Sequence, residues 1–384
     1  MLWKDVKEYN DEFSIVYHIS PKLGHIVIKK GFMDWFWKKV YSYFNSIKII
    51  DITDETPMTY NIIENMCTKG WASHIIKWDY DHYVVDLTTI SVYSGKYGCL
   101  LKLNQNFEPI EMKCGNLTLY DCKSEFVIHK FISSLLVKTL LIDNVLMNRF
   151  LFCDNLAISI KKFPHLPIDL KKFLLPFTFN IINANQFIYD YCMPSHGIFK
   201  DILDFPNYHE YMSNEYDFCI PSTPREMYEL NNLKFAPNVP IWYHDAMIYW
   251  DIVETFVNKW VNIFLNKISF QELAVTEEWL TSLTGIFLEL KPALIDILTK
   301  IIWNITFFQH FIEIKKFYTN IPTLRQGLIY YSSMNKFISP FIIGDLWKTQ
   351  EPCMKDIFIE FSTVLESLEF KSLGIQGGEL QTCF

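Results

Sequence analysis

Two stretches limit what this chain can fold into. Glu125 to Phe152, EFVIHKFISSLLVKTLLIDNVLMNRFLF, and Ile295 to Ile314, IDILTKIIWNITFFQHFIEI, carry apolar residues at steps of three and four and contain neither proline nor glycine. That spacing predicts two helices apolar around most of their circumference. Such helices must be covered on all sides, so the pair is expected to lie together at the centre of the fold. The chain can supply the cover: half of its 384 residues are hydrophobic and 17% are aromatic, ample for a large core in one domain or two. Only 13 glycines are present, against an average usage of about 7%, which favours long helices over turn-rich sheets. The expected fold class is mainly α, built around these two helices, with a few short N-terminal strands.

Residues 1–90 read as a mixed α/β part and residues 91–384 as the helical part of one domain. β-branched and aromatic runs within Ser14 to Lys30 and His82 to Leu103 (SIVYHIS, HIVIKK, HYVVDLTTISVY, CLLKL) predict strands. Phe32 to Phe44 is helical in spacing, and Trp35, Trp37 and Trp71 read as core or surface-contact residues. Trp242 to Leu265 predicts a core helix through Met247, Trp250, Val253, Val257, Trp260, Val261 and Phe264. A last helix is expected over MKDIFIEFSTVLESLEF.

Charge and motif content exclude several functions. The net charge is −8 with no block of lysine and arginine, so nucleic acid phosphates have no electrostatic footprint to meet. Nine cysteines, Cys67, Cys99, Cys114, Cys122, Cys153, Cys192, Cys219, Cys353 and Cys383, are scattered and never form CxxC. They read as free thiols of a reducing compartment, the cytosol. The N-terminus MLWKDVKEYNDEF has no apolar core for a signal peptide. The longest uncharged run, Phe173 to Tyr189, has 17 residues with a proline and four amides, short of the roughly 20 apolar residues of a membrane span. No GxSxG elbow, GxxxxGK[ST] loop, GxGxxG turn or HExxH pair occurs. Asp79, Asp81 and Asp86 read as surface acids, and His165, His196 and His209 as loop residues.

The first apolar helix resembles the central helix of the lipoxygenases, non-haem iron enzymes that insert dioxygen into polyunsaturated fatty acids. The family pattern is three histidines at steps of five, and the same positions here are His129, Ser134 and Thr139. The order of further blocks is similar over about Tyr93 to Phe384. LLKLNQNFEPIEMKC matches a strand segment through Pro109 and Ile110. Pro167, Pro176 and Asn185 keep the frame of the next segment, where Leu166 and Phe177 stand for histidines. HGIFK (His196 to Lys200) and Tyr216 to Met227 follow in family order. Trp242 to Leu265 matches through Tyr243, Asp245, Ala246, Trp250 and Val257. Gln309 and His310 resemble the second iron helix, followed by Pro322, Thr323 and Arg325 of its loop.

The resemblance implies five metal-ligand positions, occupied by Ser134, Thr139, His310, Ile314 and the carboxylate of Phe384. Only His310 is an ordinary ligand, since neutral hydroxyls bind divalent iron poorly, so neither the family's iron nor any other cofactor is expected. In a regular helix positions five apart lie roughly 140° apart around the axis, so Ser134 and Thr139 converge only where the helix widens into π form. The resemblance also implies an elongated apolar channel walled by Phe131, Leu135, Leu136, Ile302, Phe307 and Ile314, with His129 beside it. His129 alone reads as a partly buried histidine bonded to backbone or solvent. The expectation is a catalytically inactive lipoxygenase-like protein that takes a fatty acid or lipid. A divergent active dioxygenase and a structural or partner-binding protein stay open.

Overall fold

The computed structural model describes residues 17–18, 27–28, 61–92, 97–178, 181, 185, 222–285, 289–312, 341–342 and 352–382. The expected helix over Phe32 to Phe44 and the blocks at residues 196–200 and 322–325 lie outside the described residues, as do Trp35 and Trp37. The described residues are mostly helical, with a small antiparallel sheet.

Strands β1 (Tyr17–His18) and β2 (Val27–Ile28) pair with each other. Helix α1 (Asn61–Thr68) precedes a five-stranded antiparallel meander of β3 (Lys77–Asp79), β4 (His82–Asp86), β5 (Leu100–Leu103), β6 (Pro109–Cys114) and β7 (Leu117–Leu119). Alternation sets its inner face. Tyr83 sits opposite Leu103, Val85 opposite Leu101, and Leu101 opposite Met112, and all five are fully buried. The run HYVVDLTTISVY forms a strand only as far as Asp86. Thr88–Val92 is a 3₁₀ turn instead, because Asp86 Oδ1 accepts from both the backbone N–H (2.9 Å) and the hydroxyl (2.6 Å) of Thr88. That local bond offers the chain a turn in place of the ladder.

The first apolar stretch is helical without interruption from Glu125 to Lys162: α2 (Glu125–Leu136), a π segment (Val137–Asp154) and α3 (Asn155–Lys162). Helix α4 (Ile168–Thr178) follows. Helix α5 (Pro224–Leu230) begins with a capping box between Thr223 and Glu226. The long α6 (Ile241–Leu265) extends the predicted helix by one residue at its start and buries Trp242, Trp250, Val253, Val257, Trp260, Val261 and Phe264. After α7 (Phe270–Thr284), the second apolar stretch runs as α8 (Leu290–Trp303), a second π segment (Asn304–Phe308) and α9 (Gln309–Ile312). Pro292 falls in the first turn of α8, where its missing N–H has no partner to lose.

Strand β8 (Phe341–Ile342) pairs with β11 (Gln381–Thr382). Between them come α10 (Pro352–Glu366) and a hairpin of β9 (Glu369–Phe370) and β10 (Ile375–Gln376). Helix α6 packs against α8 and α10. Asp245 on α6, 3% exposed, accepts from the backbone N–H (2.6 Å) and hydroxyl (2.7 Å) of Ser372, which fastens the C-terminal hairpin to the core. Among the described residues no helix is long and apolar enough to cross a membrane.

Candidate functional site

Both π segments lie where side-chain hydroxyls or amides bond back to the carbonyl four residues earlier. Thr139 Oγ1 donates to Leu135 O (2.7 Å), Asn155 Nδ2 to Leu151 O (2.6 Å), and Thr306 Oγ1 to Ile302 O. The same bond occurs in ordinary α-helix, from Thr276 to Glu272 O (2.8 Å) and from Thr299 to Ile295 O (2.7 Å), so it accompanies the wider winding without explaining it.

Ser134 and Thr139 are 0% and 1% exposed. Ser134 Oγ donates to Lys130 O (2.7 Å) and accepts the backbone N–H of Gly98 (2.9 Å), so the segment leading into β5 rests directly on this position. Gly98 holds φ at +92°, and a Cβ there would meet Ser91 at 2.8 Å, which makes the approach specific to glycine. Burial beside this contact pushes the Cys99 thiol up to about 12. Both hydroxyls donate to main-chain carbonyls, and a neutral hydroxyl is in any case a poor ligand for divalent iron. The side chain of His310 lies outside the described residues, as do Ile314 and Phe384.

The channel positions divide. Phe131, Leu135, Leu136, Ile302 and Phe307 are at most 1% exposed and belong to the core. Phe307 stacks on Trp303 (5.0 Å) and Tyr249 (5.2 Å) and meets Phe370 edge-on (5.3 Å). His129 is exposed, with Nδ1 3.2 Å from Ser133 Oγ, and does not share their burial.

Between the two π segments lies a buried amide cluster that the sequence reading missed. Asn148 Nδ2 donates to Gln309 Oε1 (2.7 Å), and Asn148 Oδ1 accepts from Asn304 Nδ2 and from Cys153 Sγ (3.4 Å). All three amide residues are at most 3% exposed. A few residues earlier on the first π segment, Asp143 pairs through Oδ1 with Lys138 and lies 3.4 Å from His74 Nε2 through Oδ2. His74 is enclosed by the rings of Trp242, Phe308 and Phe311, with centroids 5.4–5.9 Å away. Polar letters inside LLIDNVLMN were the available signal; the partners 69 and 156 positions away were not.

These groups border a cavity of about 440 Å³. Its floor holds His74, Asp143, Asn148 and Asn304, and its mouth lies between Lys77, Asp86, Thr89 and Leu230. None of the described channel positions lines it.

Burial alone would raise the Asp143 carboxyl, but the Lys138 ammonium and the hydrogen bond from His74 outweigh that and hold it below the usual carboxylate range. A depressed folded-state pKa gives stability that is present above the unfolded value, near 4, and is lost as pH falls through the folded value. Urea titrations between pH 5 and pH 2 are expected to show a steeper acid loss for the native chain than for Asp143→Asn. Equal slopes would remove the buried pair as an acid-labile contact.

No protein-family model matches the sequence, and no curated protein matches it significantly. Solved structures do match the fold. A calcium-dependent 11R-lipoxygenase is similar over 85% of this chain with a TM-score of 0.64 at 11% identity; the chain spans 65% of that protein's length. A LOX variant, delta413-417:GS, solved anaerobically with arachidonate, is similar over 90% of this chain and 70% of its own, with a TM-score of 0.66 at 11% identity. The manganese lipoxygenase of Gaeumannomyces graminis gives a TM-score of 0.55 at 11% identity, over 84% of this chain and 77% of its own. At that distance the likeness is one of architecture, and what it establishes is that this chain has a lipoxygenase-like fold.

Proposed function

We propose that the chain is a lipoxygenase-like protein that has given up metal-dependent dioxygenation and keeps the scaffold as a binder of a fatty acid or other lipid. The state of Ser134 and Thr139 carries this reading. The resemblance puts imidazole ligands at both positions, yet both hold buried hydroxyls committed to the backbone, Ser134 as donor and acceptor together. With His310, Ile314 and the Phe384 carboxylate as the other matching positions, a divalent ion would depend on water for most of its shell. The uninterrupted helical runs Glu125 to Lys162 and Leu290 to Ile312 support a fold organised around two long central helices. The lipid is supported by the fold likeness, which includes a complex with arachidonate. The free thiols Cys67, Cys99, Cys114, Cys122 and Cys153 support a cytosolic setting.

The test is elemental analysis of the purified chain beside a diene-absorbance assay with linoleate and arachidonate, and mass spectrometry of lipid released from the native protein. Iron and manganese far below one per chain, no diene, and a co-purified acyl chain are expected. One metal per chain with turnover would establish a working dioxygenase instead, and a metal-free, lipid-free chain would leave a partner-binding protein.

A further inference from the structure

We infer that Cys99 and Cys114 are a redox couple that closes to a disulfide across β5 and β6 when the chain meets a peroxide, and reopens with a thiol reductant. The inference does not rest on the proposed function, because it concerns the sheet and asks nothing of a metal or a lipid.

The register of the sheet carries it. Leu100 sits opposite Lys113 and Leu101 opposite Met112, so one further step toward the start of β5 sets Cys99 opposite Cys114. Two residues along each strand from the buried Leu101 and Met112, both cysteines fall on the inner face. The irregularity of this ladder lies at Lys102 and Leu103, away from the cysteine end. The pair is also of the closer kind. Cys99 O accepts the N–H of Leu87 on the β4 side (2.8 Å), and Cys114 pairs with Leu117 on the β7 side across the turn at Gly115 and Asn116. The main-chain polar groups of the two cysteines therefore point away from each other, the non-hydrogen-bonded arrangement, in which Cα atoms are about 4.5 Å apart. That separation lies within the roughly 4.4–6.8 Å that a disulfide spans. Electrostatics put the same groups in one neighbourhood. Burial raises both thiols, Cys114 adds to the rise at Cys99, and the Lys130 ammonium opposes it at both.

Exposure sets the order of events. Cys114 is half-buried, whereas Cys99 is 1% exposed, so the peroxide reaches Cys114 first. Its thiolate attacks one peroxide oxygen and the O–O bond breaks; that oxygen stays on sulfur as a sulfenic acid, and the other takes a proton and leaves as water. The Cys99 sulfur then attacks the sulfenic sulfur, and the S–OH oxygen leaves as a second water with the Cys99 proton. Two thiols have lost two electrons and the peroxide has gained them. Among the described residues the strand register sets no other two cysteines opposite each other.

Treating the folded full chain with hydrogen peroxide, alkylating the remaining thiols and digesting with trypsin without reductant tests this. Residues 97–102 and 114–123 are expected to appear joined, lighter by the hydrogens of both thiols, and to separate on adding dithiothreitol. The second peptide also carries Cys122, so Cys122→Ser should keep the link and Cys114→Ser should abolish it. Cys99→Ala should leave Cys114 as a sulfenic acid that dimedone traps; Cys114→Ser, at the less buried position, serves if Cys99→Ala does not fold. The same treatment in urea should scatter the pairings, since the register no longer holds the two thiols together. Absence of the joined peptides, a link that survives Cys114→Ser, or the same link in equal yield from the unfolded chain would each overturn the inference.

Discussion

Phe307→Ala is expected to lower stability by about 3–5 kcal/mol, the range for removing a buried aromatic ring where neighbours relax only partly. The ring is fully buried in contact with Trp303, Tyr249, Trp242 and Phe370, so it joins α6, α8 and the C-terminal hairpin at one point. Neighbouring rings of that size cannot collapse into the space without leaving their own contacts, which places the cost toward the upper end. Phe307→Leu keeps most of the volume and should lose less than half as much. Denaturant midpoints for the two variants check this. A loss below about 1 kcal/mol for the alanine variant would mean that the site is not the packed core described here.

The second large effect belongs to the amide cluster. Asn148→Ala removes the acceptor of Asn304 Nδ2 and the donor to Gln309 Oε1, and orphaning buried polar groups costs about 1–3 kcal/mol each. Because Asn148 also borders the cavity, water can reach part of the vacated space, so about 2–3 kcal/mol is expected rather than the sum. Replacing both sides at once, Asn148→Leu with Asn304→Leu, leaves neither group of the pair wanting a partner and should recover a good part of the loss. A coupling energy of about 0.5–3 kcal/mol in the double-mutant cycle is the expected reading; strict additivity would show that the two π segments are not tied through this bond.

Much of the helical frame could be read from residue order, because burial imposes its own period. Helix α6 keeps an apolar residue at every third or fourth position from Trp242 to Phe264, and the helical winding turns that set to the interior. Strand ends were less legible, since one aspartate at position 86 ends β4 through a side-chain bond that no apolar pattern reports. The ligand positions came from resemblance, and the hydroxyls' engagement was invisible because the donor to Ser134 is a backbone N–H 36 residues away. The His74, Lys138 and Asp143 cluster was hidden for a different reason. Residues five apart are not neighbours on an α-helix, and only the π winding of Val137–Asp154 brings Lys138 and Asp143 together.

The docking of Gly98 onto Ser134 also limits engineering. Grafting imidazole at positions 134 and 139 would not build a metal centre by chemistry alone, because a ring at 134 would have to occupy the space through which the N–H of Gly98 arrives. Gly98 itself cannot be exchanged to make room, since a Cβ there would meet Ser91 at 2.8 Å. A larger side chain at 134 would therefore require the approach to β5 to be rerouted first, so the path of the chain fixes the size of the residue at that position.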